Sequence, residues 1–110
     1  MPTTYKILGQ LAPADTNDAN LYTVPSSTQT VVSTISVTND TATSATFRIY
    51  IRKNGASAAA LNTLYYDTPL AANSTLLITS GLTLGAADII TVRTGTANAL
   101  TFQAFGSEVS

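Results

Sequence analysis

The chain of 110 residues contains no cysteine and no histidine. Without cysteine there is neither a disulfide framework nor a thiolate metal site, so folding does not depend on redox state. Without His or Cys the usual general base and the usual soft nucleophile are both missing, and the many serines have no imidazole to form a Ser-His-Asp triad. Charge is scarce too. Asp, Glu, Lys and Arg make up 10% of the residues and the formal net charge is −1, against a charged fraction of ~25% in an average soluble domain. Five Lys+Arg beside six Asp+Glu supply no basic footprint for displacing counterions, so nucleic acid is not an expected partner. No glycine-rich run precedes a Lys-Ser or Lys-Thr pair, which removes the phosphate loop. Long apolar runs are missing as well: no window approaches the ~18 residues of a membrane span. The opening MPTTYKIL lacks the basic and apolar regions of a secretory signal, so a soluble chain made in a cytoplasm without a cleaved leader is expected.

What the chain has in quantity is threonine, its commonest residue, together with alanine and serine. Branching at Cβ stiffens threonine and valine and suits them to pleated, half-buried surfaces. Apolar and polar residues alternate along most of the sequence. Tyr5, Ile7 and Leu11 fall on one side of a first extended segment, and residues 12–20 (APADTNDAN) read as an Asx- and Pro-rich loop. Residues 21–24 form a short extended piece. Residues 28–39 form the longest strand candidate, with Val31, Ile35 and Val37 on one side and Val32, Thr34, Ser36 and Thr38 on the other. Asn39-Asp40-Thr41 has turn chemistry, which predicts a hairpin returning through residues 45–52, where Phe47, Ile49 and Ile51 alternate with Arg48, Tyr50 and Arg52.

Residues 56–63 read as a loop with one helical turn, since eight residues are marginal for a helix even when rich in alanine. Strands follow at 64–70 and 74–80, then a turn-rich link, GLTLGAAD. A closing hairpin pairs 89–94 with 100–108 across residues 95–99. Seven to eight short strands with turn signals every ~8–12 residues predict an all-β fold, a single antiparallel β-sandwich over residues 1–110, of immunoglobulin-like or jelly-roll type. A 110-residue chain buries roughly two-thirds of its unfolded surface, enough for one core.

Candidate functional residues are few. A paired-carboxylate catalyst would have to come from five Asp and one Glu, of which only Asp67 and Asp88 touch strand-like segments. Asp15-Thr16-Asn17-Asp18 offers oxygens at close spacing, but lacks the glycine and the terminal bidentate Glu of an EF-hand loop, and reads as an Asx-rich loop bonding its own backbone. No enzyme activity, cofactor or metal is expected. Asn39-Asp40-Thr41 and Asn73-Ser74-Thr75 match the glycosylation pattern, by chance in a Thr-rich chain. Phe47, Tyr66 and Phe102 share faces with aliphatic residues and are expected in the core, whereas Tyr50, Tyr65 and Phe105 have the opposite parity. An outward aromatic beside arginine has the composition of an interface hot spot. Arg48, Tyr50, Arg52 and Phe105 are therefore the candidate contact residues, with a merely wet face as the other reading and glycan binding through exposed tyrosine as a third.

Taken in order, residues 5–14 (YKILGQLAPA), 21–39 (LYTVPSSTQTVVSTISVTN), 47–56 (FRIYIRKNGA), 64–95 (LYYDTPLAANSTLLITSGLTLGAADIITVRTG) and 100–108 (LTFQAFGSE) resemble a group of small virion structural proteins of tailed bacteriophages. Many of these phages infect cyanobacteria and other aquatic bacteria. The resemblance spans nearly the whole chain and rests on the ordered combination of segments. It implies a non-enzymatic all-β module assembled into the virion in the host cytoplasm. Two placements stand: a capsid decoration (cement) protein, for which a trimer on the shell is favoured, or a neck, tail or baseplate component that recognises a receptor or glycan. The partners it implies are further copies of the chain and the major capsid or other virion proteins, with no membrane. It carries no catalytic residues.

Overall fold

A computed structural model describes residues 2–79 and 81–110. Nine strands are present among them: β1 (Thr3–Leu11), β2 (Ala19–Thr23), β3 (Gln29–Asn39), β4 (Ala45–Arg52), β5 (Thr63–Leu70), β6 (Ser74–Ile78), β7 (Leu82–Leu84), β8 (Ile89–Thr94) and β9 (Leu100–Val109). Short 3-10 turns lie at Lys53–Gly55 and Ala60–Asn62; the second is the helical turn expected within residues 56–63, and the first falls on Asn54-Gly55 itself. The strands form two antiparallel sheets. One runs β1-β9-β3-β6 with β7 also on β3; the other runs β2-β8-β4-β5. β6 pairs with Ile35–Asn39 and β7 with Thr30–Val32 of the same strand, so together they fill one strand position in two pieces. The all-β sandwich is thus as expected, and the ninth strand is the piece at Leu82–Leu84, which the two glycines of GLTLGAAD disguised as a link.

With that position counted once, strand order is 1-9-3-6/7 over 2-8-4-5, the interleaving of a double Greek key. Of the two sandwich types expected, this is the jelly roll. Two predicted hairpins do not form. β3 belongs to the first sheet and β4 to the second, and β8 and β9 are likewise divided. Alternation shows that one side of a strand is buried, but a strand alternates equally whether its successor pairs beside it or packs across the core. The polar residues that looked like hairpin turns build crossings between layers. Asn39 is buried; its amide donates to the Thr43 carbonyl at 3.0 Å and the Leu70 carbonyl at 3.2 Å, and its Oδ1 accepts from the Thr41 backbone N–H at 3.0 Å. After β8, the Gly95 N–H donates to the Thr46 carbonyl at 2.8 Å and the Asn98 N–H to the Pro13 carbonyl at 3.1 Å, which carries the chain across to β9.

The core lies between the sheets. Phe47 and Phe102, both fully buried, meet edge to face with ring centroids 6.3 Å apart, surrounded by Ile35, Ile49, Ile90, Leu100, Val32, Val37 and Val92. Three bulges decide which apolar residues join them. On β5, Tyr66 and Asp67 both stand opposite the single residue Arg48, and Asp67 takes a left-handed φ of 47°. Tyr65 therefore turns inward onto Phe47, 5.6 Å between centroids, while Tyr66 is exposed, the reverse of the parity expectation. On β1 the register slips between Ile7 and Gly9, and on β3 between Val32 and Thr34. Leu8 and Val32 are buried as a result, and Tyr5, Ile7 and Val31 face out, which corrects the expected grouping of Tyr5 and Ile7 with Leu11 and of Val31 with Ile35.

Candidate interaction surface

β4 presents Arg48, Tyr50 and Arg52 on the outer face of the second sheet, as alternation requires. The Arg48 guanidinium reaches across to the bulge of β5. Its Nε donates to Asp67 Oδ1 at 2.7 Å and one terminal nitrogen to Oδ2 at 3.1 Å, a bidentate pair, while its Cζ lies 4.0 Å above the Tyr66 ring. The fork geometry and the stacking are available to arginine and not to lysine. The pair holds the Asp67 carboxyl below the usual carboxylate range, and the Asp67 hydrogen bond raises Arg48 further still. Arg52 folds back on its own chain, donating to the Ala56 carbonyl at 2.7 Å and the Gly55 carbonyl at 3.1 Å, with Thr91 Oγ1 at 3.1 Å and Asn20 Oδ1 at 3.2 Å.

Tyr50 stands between the two arginines but is only 6% exposed. An open depression of ≈ 560 Å³ over it is lined by Tyr50, Ala59, Ala60, Thr63 and Tyr66, so the loop after β4 folds back beside the tyrosine. The row thus exists as a row, yet its middle member is covered, and the outward aromatic on this face is Tyr66. The adjacency Tyr65-Tyr66 was the sequence signal for it: neighbouring residues of a strand point to opposite faces, and Pro69 marks an edge strand where a bulge is tolerated. Phe105 is not part of this surface. It lies on β9, on the outer face of the other sheet, opposite Ile7 of β1 and Thr34 of β3.

Most of the remaining ionisable groups are engaged structurally. Lys6 Nζ pairs with Glu108 Oε1 at 2.8 Å. Glu108 also accepts from the Tyr22 hydroxyl, which is 2.8 Å from Thr30 Oγ1. This chain of bonds joins β1, β9 and β3 of one sheet to β2 of the other. Burial first, and then the bond to Glu108, push the Tyr22 phenol up to about 12; Lys6, with help from Tyr22, holds Glu108 below its ordinary value. In the loop read as Asx-rich, Asp15 Oδ1 accepts from the Asn17 N–H at 3.0 Å and Asp18 pairs with Arg93 at 3.7 Å. Asp88 clamps two turns, accepting from the Asn54 and Gly85 backbone N–H groups, each at 2.8 Å. Among the described residues no three acidic side chains gather as a metal site would require.

No protein-family model matches the chain, and no curated protein matches it either. Among solved structures the chain is similar to two of infectious bursal disease virus. A structure of the Gx strain shares 12% sequence identity, covering 97% of this chain and 31% of the other, with a TM-score of 0.45. A structure of the Gt strain shares 11% identity over 96% of this chain and 31% of the other, with a TM-score of 0.41. The chain spans about a third of the length of the chains it matches.

Proposed function

We propose that this chain is a non-enzymatic structural protein of a tailed-bacteriophage virion, acting as a capsid decoration or cement module that binds neighbouring shell proteins and further copies of itself. The observation that carries the reading is how the scarce charge is used. Five of the six carboxylates, those of Asp15, Asp18, Asp67, Asp88 and Glu108, are engaged in ion pairs or backbone turns. They brace the fold, and much of the remaining exterior is uncharged, rich in Thr, Ser and Ala with exposed apolar side chains such as Tyr5 and Leu77, a surface with little electrostatic resistance to packing against protein. Jelly rolls occur in viral capsid domains, lectins and cupins alike, so the fold is compatible with the reading and does not by itself select it. The ordered resemblance along the sequence is what favours the virion. Weak contacts repeated by symmetry over a particle add up, which lets a small body clamp a shell.

A tail, neck or baseplate component that binds a glycan is the second reading, favoured by the exposed Tyr66 ring beside the depression over Tyr50. Cosedimentation with shells lacking the protein separates the two. The decoration reading expects saturable binding to shells and none to glycans or host cells. Glycan or cell binding without shell binding, abolished by Tyr66→Ala, replaces it with the second.

A further inference from the structure

We infer that the outer face of the β1-β9-β3-β6/β7 sheet is a self-association surface, on which a second copy of the chain packs through the same face about a two-fold axis. This deepens the reading above by naming the surface and its occupant, and rests on it only for the expectation that copies meet. The five strands of that sheet contain no Asp, Glu, Lys or Arg except Lys6 and Glu108. Both of these turn to the inner side, where they pair with each other and Glu108 reaches Tyr22 of the opposite sheet. The whole outward side is therefore free of charged side chains. The outer face of the other sheet is the opposite, carrying Arg48, Arg52, Arg93 and Asp67.

At the centre of the neutral face sits an apolar cluster. Ile7 is directly opposite Phe105, and Tyr5 and Val31 flank Ser107 on either side, so the cluster crosses three strands. Tyr5 is 84% exposed, Ile7 54% and Val31 44%; Leu77, 63% exposed, extends the apolar area on β6. Two bulges at the same level of the sheet, at Ile7/Gly9 and Val32/Thr34, turn Tyr5, Ile7 and Val31 out of a core that unbroken alternation would have placed them in. Bulges re-aim side chains, and here both re-aim apolar ones into water. Gly106 fits the crowded strand between them, since a Cβ there would lie 2.0 Å from the Val31 carbonyl oxygen.

Charge selects the occupant. Packing this face against the Arg-bearing face of a second copy would strip water from Arg48, Arg93 and Asp67, at a cost their existing pairs do not offset. Packing it against itself desolvates no charge and brings the apolar clusters together, the isologous contact of a two-fold dimer. Area is sufficient. Four strand positions at ~4.8 Å spacing and about nine residues at ~3.3 Å rise give a footprint of roughly 600 Å² per copy. The pair then buries about 1,200 Å², the lower bound of specific interfaces. The symmetry is two-fold where the resemblance favours three.

Sedimentation velocity of the full chain over a concentration series tests this. The expected species is two chains in mass, and Val31→Lys and Leu77→Lys, both at exposed positions, each weaken it by at least about a hundredfold, with the melting temperature of the monomer preserved. Tyr66→Ser, on the opposite face, leaves the mass unchanged. A wild-type monomer at every concentration, a trimer, or a dimer that survives both lysine variants overturns the inference. Shell cosedimentation of the same variants is read separately: a dimer that ignores shells defeats the virion role and leaves this contact standing, whereas a monomer that binds them defeats only the contact.

Discussion

Tyr22 shows what a single polar residue contributes here. Its ring lies in the core and its hydroxyl is held by Glu108 and Thr30, so the proton stays on to about pH 12, above the ordinary tyrosine value of ~10. The folded state binds that proton more tightly than the unfolded one. Its contribution to stability is complete below the unfolded pKa and is lost as pH rises through about 12. A phenolate absorbance titration of the wild type should show a late step near pH 12, coupled to unfolding, and Tyr22→Phe should lose that step. Glu108 behaves in the opposite sense. Lys6 and Tyr22 depress it, so its contribution is present above the usual glutamate range and disappears as pH falls below it. Tyr22→Phe also removes a hydrogen bond to a charged acceptor and should cost about 1.5–3 kcal/mol in urea unfolding at neutral pH.

At the scale of strands, the bulges matter more than the propensities. Threonine, valine and isoleucine made every long strand legible, and the β4 alternation of Phe47, Ile49 and Ile51 against Arg48, Tyr50 and Arg52 appears as read. Where a bulge intervenes, the same alternation misleads. Val31 and Ile35 look like one face in sequence and lie on opposite faces in the sheet, because Ser33 is an extra residue between them. No local signal marks that serine; Gly106, whose missing side chain the approach of the Val31–Val32 backbone demands, is on another strand. Gly106→Ala should therefore destabilise the fold by about 3 kcal/mol or more, since the new methyl meets backbone that cannot yield. Gly85→Ala, whose Cβ would find nothing nearer than Asp88 Oδ2 at 3.8 Å, should stay within ~0.5 kcal/mol. Paired denaturation curves check both.

For the molecule as a whole, topology dominates. Successive strands mostly change sheets, and β1 pairs with β9, the two ends of the chain. Loop-closure entropy must be met before such contacts form, so folding should be slow for the chain's size, in milliseconds to seconds. The sheets share one core, and unfolding should be a single transition. Stopped-flow refolding followed by tyrosine fluorescence and by far-UV circular dichroism should give one common rate. Two separable phases would mean that the β2-β8-β4-β5 sheet forms alone.

Composition and period-two patterning by themselves determined the class of this protein: an all-β, two-layered body with one core, little charge, and neither histidine nor cysteine. They also placed Arg48, Tyr50 and Arg52 on a common face. Which strand sits beside which, that the double Greek key replaces the expected hairpins, that Tyr50 is covered while Tyr66 is bare, and that the apolar side chains of β1 and β3 look outward were all decided in three dimensions. The reason is physical. Alternation is a property of one strand and its buried side, whereas pairing, bulges and loop cover depend on backbone from distant parts of the chain, which no local pattern records.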